Sequence, residues 1–409
     1  MGSRIVVVGG GPHALAVLAA LNERPEPWPE SVAVVDPHER WTAAWEDKLG
    51  RLLLDRLRSP QVHHPGPRPM QLRDLVEACP AADQLALRRP EDERAPTPAG
   101  MRALVDELVA GLGPVEWIVG RAASIELAPT TPVPADDAPP PVIVRLEDGR
   151  PLHADLLVLA HNPSIPRIPG WAEPMITSGL ARHASTVDLR TETLAGRAVA
   201  VVGGGLTAAC LALETTRAGG RVTMLSRRPL RARPYDVDAS WLGPRRLTEF
   251  MAASPAERRS LIDVARDGGT IPPRALSELR AAAADPGSGL VLREAVDVEA
   301  ELEELLESAS DEACGAQTEP SVDAVWLATG FASDVLTDPL VGPLIEASHI
   351  PVHGGLPEVT DDLQLPGLPV FVVGPYAALG VGPASRNLSG ARPAAAAVAR
   401  GLARASSAD

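Results

Sequence analysis

Lysine is almost missing from this chain: of its 38 basic side chains, Lys48 alone is one. The bias reads as codon usage and not as chemistry. Cysteine is scarce as well. Cys79, Cys210 and Cys314 stand far apart with no CxxC spacing, which shows neither a zinc site nor a dithiol redox pair and leaves each as a small buried hydrophobe. No apolar run approaches the roughly 18 residues of a membrane span. No signal peptide precedes a first strand that begins at residue 4, so a soluble cytoplasmic protein is the expectation. A basic surplus is missing too: the net charge of −15 argues against a nucleic-acid or acidic-membrane partner. There is no catalytic triad, no working pair of carboxylates and no metal-ligand cluster, which sets aside hydrolase and metal chemistry. What remains, 409 residues at 45% hydrophobic and 22% charged, suffices for two or three globular domains.

The stretch Arg4-Ile-Val-Val-Val-Gly-Gly-Gly-Pro-His-Ala14 is a short apolar strand, a glycine turn and the start of an Ala/Leu-rich helix. It reads as a dinucleotide cradle. Gly9 permits the tight turn, Gly11 lets a pyrophosphate approach the backbone, and Ala14 lets the helix pack close to the strand. Phosphates would rest on the helix N-terminus, beside Pro12 and His13, where free N–H groups and the dipole favour negative charge. Asn22 with Pro25, Pro27 and Pro29 ends the helix. A second strand, Val32 to Asp36, then closes on a carboxylate placed to accept hydrogen bonds from an adenosine ribose.

From Trp41 to Gly100 the chain is rich in Arg, Pro and His and has no clean period; His63 and His64 read as loop residues there. Met101 to Leu112 has the spacing of an amphipathic helix, and Val115 to Val119 that of a strand. Ser124 to Leu127 and Val142 to Leu146 read as a hairpin whose long loop is the proline-rich Pro129 to Pro141. Asp155 to Ala160 is a buried strand returning to the first sheet, and Asn162 to Gly170 is a proline-rich boundary.

Beyond it the opening pattern repeats. Arg197-Ala-Val-Ala-Val-Val-Gly-Gly-Gly-Leu-Thr-Ala208 is again strand, turn and helix, with Gly203, Gly205 and Ala208 at the fingerprint positions and Leu206 and Thr207 opening the helix. Two cradles imply two dinucleotides. The next strand, Arg221 to Ser226, ends in Arg227 and Arg228 and has no acid at the ribose position. A carboxylate there would repel a 2′-phosphate, whereas a guanidinium can bind it bidentately, so the second nucleotide is expected to be NADPH. The acidic segment Asp297 to Glu312 carries apolar residues at helical spacing and reads as a solvated surface element.

Two nucleotide sites without a dithiol or metal suggest flavin chemistry fed by NADPH. Asp323-Ala-Val-Trp-Leu-Ala-Thr-Gly-Phe331 resembles the DxxxLATGY stretch of the flavin-dependent N-hydroxylating monooxygenases, the ornithine and lysine hydroxylases, with Phe in place of the final Tyr. Asp236 to Ser240, Leu247 to Met251, Ser254 to Leu261 and Thr270 to Leu279 are similar to that family's helical insert, and Arg386-Asn-Leu-Ser-Gly-Ala-Arg392 to its closing helix beside the flavin. The resemblance implies FAD and NADPH as cofactors, a small amine and O2 as substrates, and a C4a-hydroperoxyflavin whose distal oxygen is attacked by the amine. It adds Trp45, Thr329, Gly330, Phe331, Gly374 and Leu388 to the cofactor contacts, and Asn387, Ser389 and His183 as catalytic residues. A homo-oligomer is compatible with it.

Departures from the family also inform. Gly179 to His183 resembles the GxxxH core shared by flavin monooxygenases and Baeyer–Villiger enzymes, with Thr177 in place of its Phe. Trp45-Glu46 replaces Trp-His, and Leu52 to Pro60 lacks the Lys-Asp-Leu that helps hold an amino-acid carboxylate. The substrate is therefore expected to be a small acidic amine of specialised biosynthesis other than ornithine or lysine, gripped by Arg58, Arg245 or Arg246. Alternatives are a Baeyer–Villiger or sulfur-oxygenating enzyme, or an NADPH-dependent reductase. The fold expected is α/β with two Rossmann-like domains: FAD-binding at 1–165 and 320–409, because Val322 to Leu327 reads as a further strand of the first sheet, and NADPH-binding at 166–319, with a helical insert at about 240–284.

Overall fold

A computed structural model describes residues 4–78, 95–128, 141–163, 165–307 and 322–406. Strands β1 (Arg4–Val8) and β2 (Ser31–Asp36) are apolar runs joined by α1 (Pro12–Asn22), and they pair in parallel with Val6 opposite Ala33. Their near-continuous burial, without alternation, is what a sheet covered on both faces requires. Within the segment without a clean sequence period lie the helices α2 (Ala43–Arg51) and α3 (Gln71–Ala78). Helix α4 (Pro98–Gly111) follows, capped by the Thr97 hydroxyl. Beyond it, β3 (Glu116–Val119) pairs with β2. An antiparallel sheet follows, made of β4 (Ala122–Leu127), β5 (Val142–Leu146) and β6 (Pro151–Ala154). The hairpin is as expected; its loop lies outside the described residues except at its last position. Strand β7 (Leu156–Leu159) then returns beside β1.

The chain crosses to a second sheet through β8 (Ile165–Pro166). That sheet contains β9 (Ala181–His183) and β10 (Ala198–Val202), the latter leading into α5 (Leu206–Arg217) and β11 (Arg221–Ser226). Helices α6 (Pro244–Ala252), α7 (Pro255–Ala265) and α8 (Pro273–Ala284) come next, then β12 (Leu290–Glu294), α9 (Val298–Glu307) and β13 (Ala324–Leu327). The strand order is β12-β11-β10-β13-β9, all parallel. Strand β14 (Phe331–Ala332) pairs antiparallel with β8, so the outgoing and returning connections run side by side. The first sheet is completed at its edge by β15 (Val370–Val372), next to β7, and α10 (Leu388–Ser406) packs its alanine-rich face on α1.

Two expectations are corrected. Val322 to Leu327 does not join the first sheet: β13 lies between β10 and β9, with Val201 opposite Trp326. A strand buried on both faces carries no mark of which parallel sheet it enters; the strand that makes the first half discontinuous is β15. The helical insert is also divided. Phe250 of α6 and Ile262 of α7 share a separate core with Trp241, Leu356 and Leu379, whereas Leu276 and Leu279 of α8 belong to the core of the second sheet. The acidic segment is helical over α9 and buries Leu302 and Leu305. Cys210 lies on α5, its thiol pushed up to about 12 by burial. Cys79 and Cys314 fall outside the described residues.

Candidate functional site

The first cradle is built as a turn locked by backbone contacts. Gly9 has φ +102°, its N–H donates to Val35 O at 2.8 Å, and a Cβ there would lie 2.8 Å from Ala160 O. Only glycine satisfies both conditions. A Cβ on Gly11, by contrast, would meet nothing within 4 Å. Gly11 precedes α1 and Pro12 begins the helix, with no side-chain cap to occupy its first N–H groups. Asp36 ties the turn together, accepting Gly10 N at 2.7 Å and His38 N at 2.9 Å. Ala14 is fully buried against the sheet, and His13 Nε2 donates to Ser385 O at 2.9 Å. Burial pushes the His13 pKa down, against the pull of that carbonyl, so it joins α1 to the approach of α10 as a neutral ring. Trp45, on α2, packs on the core of the first half.

Just after β7, His161 donates through Nε2 to Asp338 Oδ2 at 2.8 Å, which also accepts Tyr376 Oη–H at 2.8 Å; His161 Nδ1 is buried without a partner. A Cβ on Gly9 would lie 3.0 Å from His161 N. An orphaned acceptor beside an open glycine cradle fits a bound group with hydroxyl donors, as a ribose has. Gly374, buried at φ +67°, likewise leaves open space where a Cβ would be. These features fit FAD.

The second cradle repeats the turn. Gly203 has φ +153°, donates to Leu225 O at 2.9 Å, and would place a Cβ 2.5 Å from Ala328 O. Gly205 precedes α5, whose first residues are Leu206 and Thr207, again without a side-chain cap. Of the two arginines at its rim, Arg227 is exposed and has no side-chain partner among the described residues, while Arg228 donates to Asp267 O. A rim of guanidinium groups fits a 2′-phosphate.

Between the halves, Thr329 Oγ1 donates to Arg167 O, and Gly330 O receives Arg167 N at 3.0 Å and His183 Nε2–H at 3.0 Å. His183 Nδ1 accepts Ser185 N at 3.2 Å. Both ring nitrogens are therefore committed, and burial keeps the ring neutral. His183 clamps the β13–β14 connection and has no ring nitrogen left for proton transfer. Its edge meets the Phe331 ring, centroids 4.9 Å apart, and Lys48 Nζ lies 5.3 Å from the centroid of that ring.

Asn387 bridges charges: its Nδ2 donates to Asp236 Oδ2 at 2.8 Å and its Oδ1 accepts Arg266 Nη1 at 3.0 Å. Leu388 and the half-buried Ser389 open α10 beside it. Burial pushes the Asp236 carboxyl up, but Arg58, Arg266 and Asn387 together outweigh it and hold it below the ordinary range.

The three arginines expected to grip a substrate acid do not come together. Arg58 donates to Asp236 Oδ1, to Thr270 Oγ1 and to four backbone carbonyls, so its fork is fully used inside the protein. Arg245 is 93% exposed and pairs with Glu249; Arg246 stacks on Trp241 at 5.2 Å. Lys48 and Arg386 are two of the cations that have no carboxylate partner among the described residues. Both reach solvent yet are walled by protein: burial, then Arg386, lowers the Lys48 pKa, and burial lowers that of Arg386, with Asp236 acting on both in the opposite sense. The sequence held one signal for Lys48, its being the sole lysine, and that was set aside as codon usage.

Fold and site together define a chain of two parallel α/β halves, each with a glycine turn at a helix N-terminus. A family model described as FAD-NAD(P)-binding matches residues 6–162, and one described as pyridine nucleotide-disulphide oxidoreductase matches 97–248. Among solved structures the chain is similar to the ornithine hydroxylase of Pseudomonas aeruginosa, with TM-score 0.73 at 17% identity over 99% of this chain and 100% of that one. It is similar also to the ornithine N-hydroxylase of Kutzneria sp. 744 solved with reduced FAD, NADP+ and L-ornithine, with TM-score 0.71 at 17% identity over 99% of each chain. The FAD-bound cadaverine monooxygenase of desferrioxamine biosynthesis from Erwinia amylovora gives TM-score 0.70 at 16% identity, covering 100% of this chain and 95% of that one. At these identities the likeness is one of fold. No curated protein matches the chain.

Proposed function

We propose that this protein is an FAD- and NADPH-dependent monooxygenase that N-hydroxylates a small amine carrying an acid group. The observation that carries the reading is the pair of cradles with opposite rims, a carboxylate at Asp36 and arginines at Arg227 and Arg228, in a chain that follows the N-hydroxylase fold over nearly its whole length. FAD would lie on Gly9–Gly11 and α1, with His161 Nδ1 beside it; NADPH would lie on Gly203–Gly205 and α5. When bound, the flavin supplies hydride acceptance from the nicotinamide and transfer of one oxygen atom from O2 to the amine nitrogen.

The chain's own part is positioning and charge. His183 fixes Gly330, and Thr329 fixes Arg167. Asn387 holds the Asp236–Arg266 pair against the start of α10. Lys48 and Arg386, both short of an anion, receive the acid group of the substrate, and an anion between them relieves the repulsion each exerts on the other. Ornithine and lysine carry a second ammonium that this cationic site disfavours. The test is NADPH oxidation by FAD-loaded protein with a panel of amines, scoring hydroxylamine against peroxide. Small acidic amines should give hydroxylamine, and ornithine and lysine mainly peroxide. Tight coupling with ornithine or lysine would overturn the substrate class; peroxide with every amine would overturn N-hydroxylation.

A further inference from the structure

Between α7 and α8 the segment Asp267–Thr270 crosses the second cradle. A Cβ built on Gly269 would lie 2.8 Å from Gly205 N, 2.9 Å from Gly205 Cα and 3.0 Å from Gly204 C. The backbone of Gly269 therefore rests on the turn that leads into α5, where a dinucleotide pyrophosphate is received. A glycine pair permits this approach: Gly268 has φ +132°, and any side chain on Gly269 would strike the turn.

A second observation concerns the anion seat. The Asp267 carboxylate takes both terminal nitrogens of Arg231, at 2.7 and 3.0 Å, and stands 4.0 Å from Arg233, while its carbonyl accepts Arg228. Arg231 first among these holds the Asp267 carboxyl below its ordinary range. A carboxylate held bidentately in a group of three guanidiniums, just past the end of β11, has the geometry of a phosphate monoester in the same group.

We propose that Arg228, Arg231 and Arg233 form the seat of the coenzyme 2′-phosphate, that Asp267 fills this seat and Gly269 the neighbouring pyrophosphate seat while no coenzyme is bound, and that coenzyme displaces Asp267–Thr270 as one strap. The proposal rests on the second cradle being a coenzyme site. It extends that reading by naming residues the sequence motif does not reach, and by making a piece of the chain a competitor of the coenzyme. The strap also has a tether: Thr270 accepts Arg58 through its hydroxyl at 2.7 Å, and Arg58 holds Asp236. Its displacement is thereby felt in the network around Asn387.

The test is calorimetric titration of FAD-loaded protein with adenosine 2′,5′-bisphosphate, NADP+ and NAD+. Asp267→Asn should tighten all three, the two 2′-phosphates more than NAD+, because it loosens the strap and removes a negative charge from the seat. Gly269→Ala, which expels the strap, should tighten NADP+ and NAD+ by similar factors. Arg231→Met should weaken the bisphosphate and NADP+ by about ten-fold without weakening NAD+. In the wild-type protein, saturating NADP+ should speed amide hydrogen exchange at Gly268–Thr270. Weaker binding by Gly269→Ala, no change with Asp267→Asn, or slower exchange in the strap would overturn the proposal while leaving the coenzyme site standing. Failure of both dinucleotides to bind any form would overturn the coenzyme reading and the seat together. Amine hydroxylation enters none of these measurements.

Discussion

The two cradles are built alike and end in opposite states. In both, the first glycine has positive φ, donates to the carbonyl of the neighbouring strand, and leaves no room for a Cβ against a carbonyl, Ala160 O in one and Ala328 O in the other. The third glycine separates them. Gly11 looks into open space, whereas Gly205 has Gly269 Cα 3.5 Å from where its Cβ would be. The motif thus specifies a turn and a helix start; whether a ligand can reach them is decided by a segment from elsewhere in the chain. The first cradle suits a resident cofactor, and the second a coenzyme that comes and goes.

The strongest way to break this comparison is at Gly11. Gly11→Val should fold, since its side chain enters open space, yet lose flavin retention altogether. Full flavin absorbance in the purified variant would show that the first cradle is not the flavin site. Acid sensitivity should separate the halves next. His64, wholly buried in the first half, accepts Gly66 N at 3.1 Å and bonds Pro69 O at 3.2 Å, and burial lowers its pKa to about 4. Its folded value lies below the unfolded one of about 6.5. Its contribution is therefore complete above pH 6.5 and falls as pH drops from there towards 4, by about 3 kcal/mol, because the unfolded chain binds a proton that the folded one does not. His64→Gln should flatten urea-unfolding stability between pH 7 and 4.5; an unchanged slope would remove His64 as its source.

Gly203→Ala should cost about 2 kcal/mol of stability, through positive φ and contact with Ala328 O, without emptying the flavin site. Flavin loss as complete as in Gly11→Val would mean that the cradles are not independent. The smallest effect is expected at the exposed rim. Arg227→Ala should raise KM for NADPH about three-fold, the loss of a screened charge of about 0.6 kcal/mol at the edge of the seat formed by Arg228, Arg231 and Arg233, with little change for NADH. Equal changes for both coenzymes would place the 2′-phosphate elsewhere.

Much of this was legible from local pattern. The strand–turn–helix units, the hairpin of β4 and β5 and the helix α4 follow from periodicity and glycine placement, which act over a few residues. The sheet chosen by β13 was not, since a fully buried parallel strand suits either core. Arg58 was misread as a substrate anchor because an arginine among prolines looks free in sequence; in the fold its fork is filled by Asp236, Thr270 and backbone carbonyls more than 170 positions away. Lys48 was passed over for the opposite reason: its rarity looked compositional until folding set it over Phe331.

By itself the sequence determined two glycine turns, the carboxylate that ends β2 and the arginines that follow β11, because each depends on residues adjacent in the chain. Tertiary structure alone decided that Gly269 covers Gly205, that Asp267 sits among Arg228, Arg231 and Arg233, and that Lys48 and Arg386 have no carboxylate partner among the described residues. The physical reason is that access and charge balance are sums over everything packed nearby, and the neighbours that set them come from distant segments brought together only by the folded core.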